Sequence, residues 1–139
     1  MKKLLSVMLI LVMLMQITIP VEAAQSASIA PCYVNTEQAT ATLTVSDSGS
    51  ATVRVTCSGN SNVTQIRVTA YIEKKEGTSW KRVNIGTTTN AWTYSTTLTR
   101  LAKSYTTQLP SCGEYRTVVT FVVTGTTSET ITKYASGSY

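Results

Sequence analysis

The chain has 139 residues, with 12 Lys and Arg against 7 Asp and Glu, three Cys and no His. Without imidazole, His general bases, Ser-His-Asp triads and His metal sites are excluded, which removes most hydrolase mechanisms. The formal charge of +5 is mild and scattered, with Arg54, Arg67, Arg100 and Arg116 standing alone and Lys74-Lys75 and Lys81-Arg82 in pairs, so no nucleic-acid partner is expected.

The N-terminus, MKKLLSVMLILVMLMQITIPVEAAQ, has two lysines, an apolar run from Leu4 to Met15 broken only by Ser6, and the small-residue pattern Val21-Glu22-Ala23. This predicts a signal peptide over 1–23 with cleavage after Ala23; the competing reading is an uncleaved anchor, since Leu4 to Val21 is nearly long enough to span a bilayer. After cleavage the charge falls to +4, and 24–139 form one domain with a single core. TKYASGSY at the other end carries no apolar tail or LPxTG signal, so a secreted, extracellular protein without stable membrane insertion is expected.

From here alternation dominates. In QATATLTV the apolar residues Ala39, Ala41, Leu43 and Val45 take the odd positions, and in ATVRVTC the same parity runs through Ala51, Val53, Val55 and Cys57. Residues opposed across a hairpin must face the same side of a sheet, so the link SDSGS has to form a three-residue loop, Asp47-Ser48-Gly49. That loop pairs Val45 with Ala51, Leu43 with Val53, Ala41 with Val55 and Ala39 with Cys57, and puts Gly49 where a positive φ is needed.

In QIRVTAYIEKK the parity switches: Ile66, Val68, Ala70 and Ile72 face inward. EGTS turns the chain into WKRVNI, a hairpin partner, and GTTTN is a loop before the strand candidate AWTYSTTL. Thr99 to Gly113 contains Pro110 and Gly113 and is expected to be a long connection, with a short strand or helical turn around Arg100 to Lys103. YRTVVTFVVTG and ETITKYA close the domain as a hairpin across Gly125-Thr126-Thr127; TVVTFVVT could pair with another copy if it lay at a sheet edge. About seven short strands and no amphipathic helix predict an all-β fold, a single antiparallel β-sandwich of immunoglobulin-like type.

The chemistry available to such a domain is narrow. Asp47 belongs to a turn, and the carboxylates Glu37, Glu73, Glu76, Glu114 and Glu129 are dispersed, so nothing proposes a glycosidase pair or a calcium loop, and three isolated cysteines make no zinc site. No cofactor, no metal and no enzymatic activity are expected. The candidate ligand surface is aromatic: Tyr71, Trp80, Trp92, Tyr94 and Tyr105 would make a sugar-stacking platform if two or more were exposed and coplanar. The competing fate of Trp80 and Trp92, and the expected one, is core packing, because the chain is poor in Leu and Phe. Asn62-Val63-Thr64 matches the glycosylation acceptor pattern, which behind a bacterial type of leader is a chance match.

The run TAYIEKKEGTSWKRV with the GTTTN loop, WTYSTTLT and EYRTVVTFVVTG resembles small secreted proteins of Gram-positive, gut-type Firmicutes. The resemblance covers most of the mature chain. It implies an immunoglobulin-like or fibronectin type III-like sandwich, an extracytoplasmic location and no established activity. Tyr115, followed by Val119 and Phe121, is similar to the strand of such sandwiches whose tyrosine ties the corner. The departure is Cys112, since an antibody-type domain has its cysteine two residues after the tyrosine, at the position of Thr117.

Three cysteines in an exported chain suggest one disulfide and one free thiol. If successive strands run up and down, Cys57 at the exit of the second strand and Cys32 before the first share one end of the sandwich, and Cys112 lies at the other. A bridge needs Cα atoms within about 7 Å, and a strand spans roughly 20 Å. This ranks Cys32–Cys57 first and Cys57–Cys112 second, with Cys112 the free thiol and a candidate for an intermolecular bond. The expected function is non-catalytic binding or adhesion to a protein, cell-wall or glycan partner. The alternatives are a small secreted effector, bacteriocin-like or inhibitory, and a carbohydrate-binding module.

Overall fold

The computed structural model describes residues 32–139; the signal peptide expected over 1–23 lies outside them. Eight strands follow in order: β1 (Thr36–Val45), β2 (Ser50–Gly59), β3 (Gln65–Glu76), β4 (Ser79–Arg82), β5 (Trp92–Thr96), β6 (Arg100–Gln108), β7 (Glu114–Thr124) and β8 (Ser128–Ser138). They form two antiparallel sheets, β1-β2-β6 and β4-β3-β7-β8, and β5 joins the second by pairing with β3. This is an immunoglobulin-like β-sandwich, and among the described residues no helix is long and apolar enough to cross a membrane.

The register of the first hairpin follows from parity. Val45 faces Ala51, Leu43 faces Val53, Ala41 faces Val55 and Ala39 faces Cys57, and Gly49 adopts a φ of 79° in the turn. On β2 these inward residues are buried, whereas on β1, an edge strand, they are half-buried. Ile66, Val68, Ala70 and Ile72 of β3 are fully buried, as are Val119, Phe121 and Val123 of β7. β7 lies between β3 and β8, so TVVTFVVT presents no edge.

Arg100 to Gln108 departs from expectation. This segment is a nine-residue strand paired with the whole of β2, from Ser58↔Arg100 to Ser50↔Gln108, rather than a connection with a short strand or turn. Its inward positions are Leu101, Lys103, Tyr105 and Thr107; only Leu101 is buried. As an edge strand of its sheet, β6 needs no continuous apolar face, so the alternation that marks the other strands is missing.

Both ends of the sandwich are tied across its sheets. At one end the Glu129 carboxylate of β8 accepts hydrogen bonds from the backbone N–H groups of Val34, Asn35 (3.0 Å) and Thr36 (3.1 Å) and from the Thr36 hydroxyl (2.9 Å). Burial opposes its charge, but the amides and hydroxyl outweigh it and hold the carboxyl below its ordinary value. At the other end Tyr139 exchanges backbone hydrogen bonds with Gly113 at 2.8 and 3.0 Å. Its ring lies so close over Gly49 that a methyl group there would stand 2.7 Å from it. The corner before β7 is fixed by Tyr115, fully buried, whose hydroxyl donates to the Ser111 carbonyl, as the tyrosine-corner resemblance implies.

Candidate functional site

The outward residues of the five-stranded sheet form a regular lattice. One row runs Tyr71, Val118, Tyr134 across β3, β7 and β8, and the next runs Arg82, Glu73, Arg116 across β4, β3 and β7. Trp80 pairs with Lys75 one row further. On this lattice Arg116 occupies the centre: its Nε donates to Glu73 Oε2 at 2.7 Å, its guanidinium lies 4.4 Å from the Trp80 ring centroid, and Tyr134 is 5.3 Å away. Arg82 stacks over Tyr71 at 3.7 Å.

Two properties set this face apart from an ordinary solvated one. Val118 points outward yet is only 4 % exposed, flanked in its row by Tyr71 and Tyr134, while Tyr134 itself is 61 % exposed. The carboxylates of this region are all engaged, Glu73 by Arg116, Glu114 by Lys75 and Glu76 by Lys81. Arg82, by contrast, makes no ion pair among the described residues. The result is an aromatic and cationic stripe over a small apolar floor, with its guanidinium groups held flat by rings.

The five aromatic residues proposed from the sequence separate into two places. Tyr71 and Trp80 belong to this stripe. Trp80 is half-buried on the outside of the sheet and packs under Arg116, which corrects the expectation that it lies in the core. Trp92 does pack against the core, stacked on Tyr105 with ring centroids 5.1 Å apart and planes 5° from parallel. Tyr94 meets Lys103 at 3.9 Å beside them. These three aromatics join β5 of one sheet to β6 of the other and close that side of the sandwich. The Tyr105 hydroxyl is buried without a partner, and burial first, then Tyr94, raises its pKa.

Each of the five rings therefore has one face covered, by a cation or by another ring. Arg82, Arg116, Val118 and Tyr134 complete the stripe but were not singled out from the sequence. Tyr134 could have been, because it shares the outward parity of Thr130 and Thr132 in ETITKYA.

The three cysteines are free in this structure, Cys32 and Cys112 exposed and Cys57 buried. Cys57 pairs with Ala39 and Leu101 and points into the core, and burial pushes its thiol up to about 11. Cys112 lies next to Gly113, which bonds to Tyr139 at the Gly49 end, away from Cys57. The expected Cys32–Cys57 bridge is not formed in this structure, where Cys57 is buried in the core and Cys32 is exposed. Among the described residues, no group of three or more His, Cys, Asp or Glu is placed to hold a metal ion. No protein-family model, curated protein or solved structure matches the chain at a significant level.

Proposed function

We propose that this is a secreted, non-catalytic binding protein that engages a protein partner in the extracellular space through the outer face of its five-stranded sheet. The observation that carries the reading is Tyr134, a large ring 61 % exposed beside Arg116 and above the sealed Val118. Tyr, Trp and Arg around a small apolar centre are the residue types that dominate binding energy at protein interfaces. A carbohydrate-binding module would want free ring faces, and the guanidinium groups already occupy one face of Tyr71 and of Trp80. Absence of catalysis is supported by the lack of His and by the engagement of Glu73, Glu76, Glu114 and Glu129 in ion pairs or backbone hydrogen bonds.

Immobilised full chain, incubated with extracellular fractions, tests the reading when compared with two variants. Tyr134→Ala combined with Arg116→Ala should abolish retention of the bound protein. Thr42→Ala on the opposite sheet should leave it unchanged. Equal retention by all three, or no retained protein at all, would count against this face. Export is tested separately: intact mass from culture medium should correspond to a chain beginning at Ala24, and a full-length product confined to membranes would overturn it.

A further inference from the structure

The three-stranded sheet presents a different outer face, made by the even-numbered residues of β1, β2 and β6. Arg54 lies in one row with Thr42 and Ser104, the next row holds Thr56 and Ala102, and Arg100 lies in the row beyond, beside Ser58. Ala102 is the smallest side chain on this part of the face. Over it and Thr56 two shallow depressions adjoin, one of about 490 Å³ lined by Arg100 and one of about 320 Å³ lined by Arg54. Four residues of strand rise separate the two arginine rows, so the two Cα atoms stand roughly 14 Å apart, with the hollow between them.

The charge on this face is one-sided. Glu37 is the single carboxylate in the three strands, it stands at the bulge in β1, and it makes no ion pair. The three ion pairs among the described residues all belong to the other sheet, so neither Arg54 nor Arg100 has a carboxylate partner. Lys103 faces the other side of β6, its ammonium held over Tyr94, which leaves Arg54 and Arg100 as the cations of this face. Around these cations stand hydroxyl and amide side chains, Thr56, Ser58, Ser104 and Gln38. No aromatic ring occupies an outward position, which removes the stacking platform a single-stranded nucleic acid would use.

We propose that this face is a furrow for a linear anionic polysaccharide. Arg54 and Arg100 bind its carboxylate or sulfate groups, and the hydroxyl and amide side chains between them bind its sugar hydroxyls. Guanidinium forks suit planar carboxylate and sulfate oxygens, and the small Ala102 lets the chain lie close to the sheet. The proposal is independent of the protein-binding reading, since it uses the opposite sheet.

Calorimetric titration of the full chain at low ionic strength tests it, with polygalacturonate as the carboxylated probe, heparin as the sulfated one and dextran as the neutral one. At least one acidic glycan should bind and dextran should not; which of the two binds identifies the acidic group. Arg54→Gln combined with Arg100→Gln should weaken binding about tenfold or more, and Arg67→Gln on the other sheet should change it by less than about twofold. Ala102→Leu, which fills the hollow without altering charge, should also weaken it about tenfold by excluding the chain. All these positions are exposed, and if one variant melts early the single arginine variants decide. The proposal fails if neither acidic glycan binds, if Arg67→Gln costs as much as Arg100→Gln, if Ala102→Leu has no effect, or if duplex DNA competes as well as the glycan.

Discussion

Tyr115 and Cys57 occupy similar surroundings, both buried in the core, and differ in what burial does to their polar atoms. The Tyr115 hydroxyl reaches the Ser111 carbonyl and fixes the corner before β7. Tyr115→Phe removes that bond, but Ser111 is exposed and its carbonyl recovers a water partner, so the net cost should be about 1 kcal/mol, or roughly 5 °C in Tm. A loss above about 3 kcal/mol in a denaturant titration would mean that the whole loop depends on this hydroxyl. For Cys57, burial raises the thiol to about 11, leaving almost no thiolate at pH 8. Under native conditions a thiol reagent should label Cys32 and Cys112 quickly and Cys57 only after unfolding. If one thiol instead of two is labelled fast, Cys32 or Cys112 has closed onto Cys57, and mapping a non-reduced digest would show which.

Among the elements, β8 shows most clearly how a strand can hold a neighbour in the other sheet. Glu129 stands where three successive amides of the segment entering β1 converge, and its folded pKa lies below the ordinary 4.5. A depressed carboxyl stabilises the fold fully above the unfolded value and loses that contribution as pH falls through the folded one. Glu129→Gln should therefore cost about 1.5 kcal/mol or more at pH 7, and the gap between the two melting curves should narrow once pH drops below about 4.5. A gap independent of pH would show that shape rather than charge holds the segment. Parity makes the β1–β2 register legible in the sequence because a one-residue slip would expose every inward side chain. It fails for β6, where Lys103 and Tyr105 take inward positions on an edge strand, and the nearby Pro110 and Gly113 suggest a loop. The stripe on the five-stranded sheet was only partly legible. Tyr71 and Trp80 are conspicuous as aromatics, but their meeting with Arg82, Arg116 and Tyr134 depends on strand order, which one sequence does not state.

For the whole molecule, the sandwich is held across its two sheets by contacts at both ends, Glu129 at one and Tyr139 at the other. Ten residue steps separate Glu129 and Tyr139, about 33 Å of extended chain, with the shared core between. Removing the half-buried Tyr139 ring as Tyr139→Ala exposes the Gly49 turn it covers and should cost about 2 kcal/mol. Sites this far apart with no common partner should act independently, so the double variant with Glu129→Gln should lose the sum of the single losses within about 0.5 kcal/mol. The alternative is a sandwich whose sheets separate as soon as one end is released, in which the second substitution would cost little after the first. Denaturant titration of the four proteins distinguishes these. Additivity with an unchanged denaturant slope supports two independent ties on one cooperative core, and a large coupling with a reduced slope would show an opened sandwich populated before global unfolding.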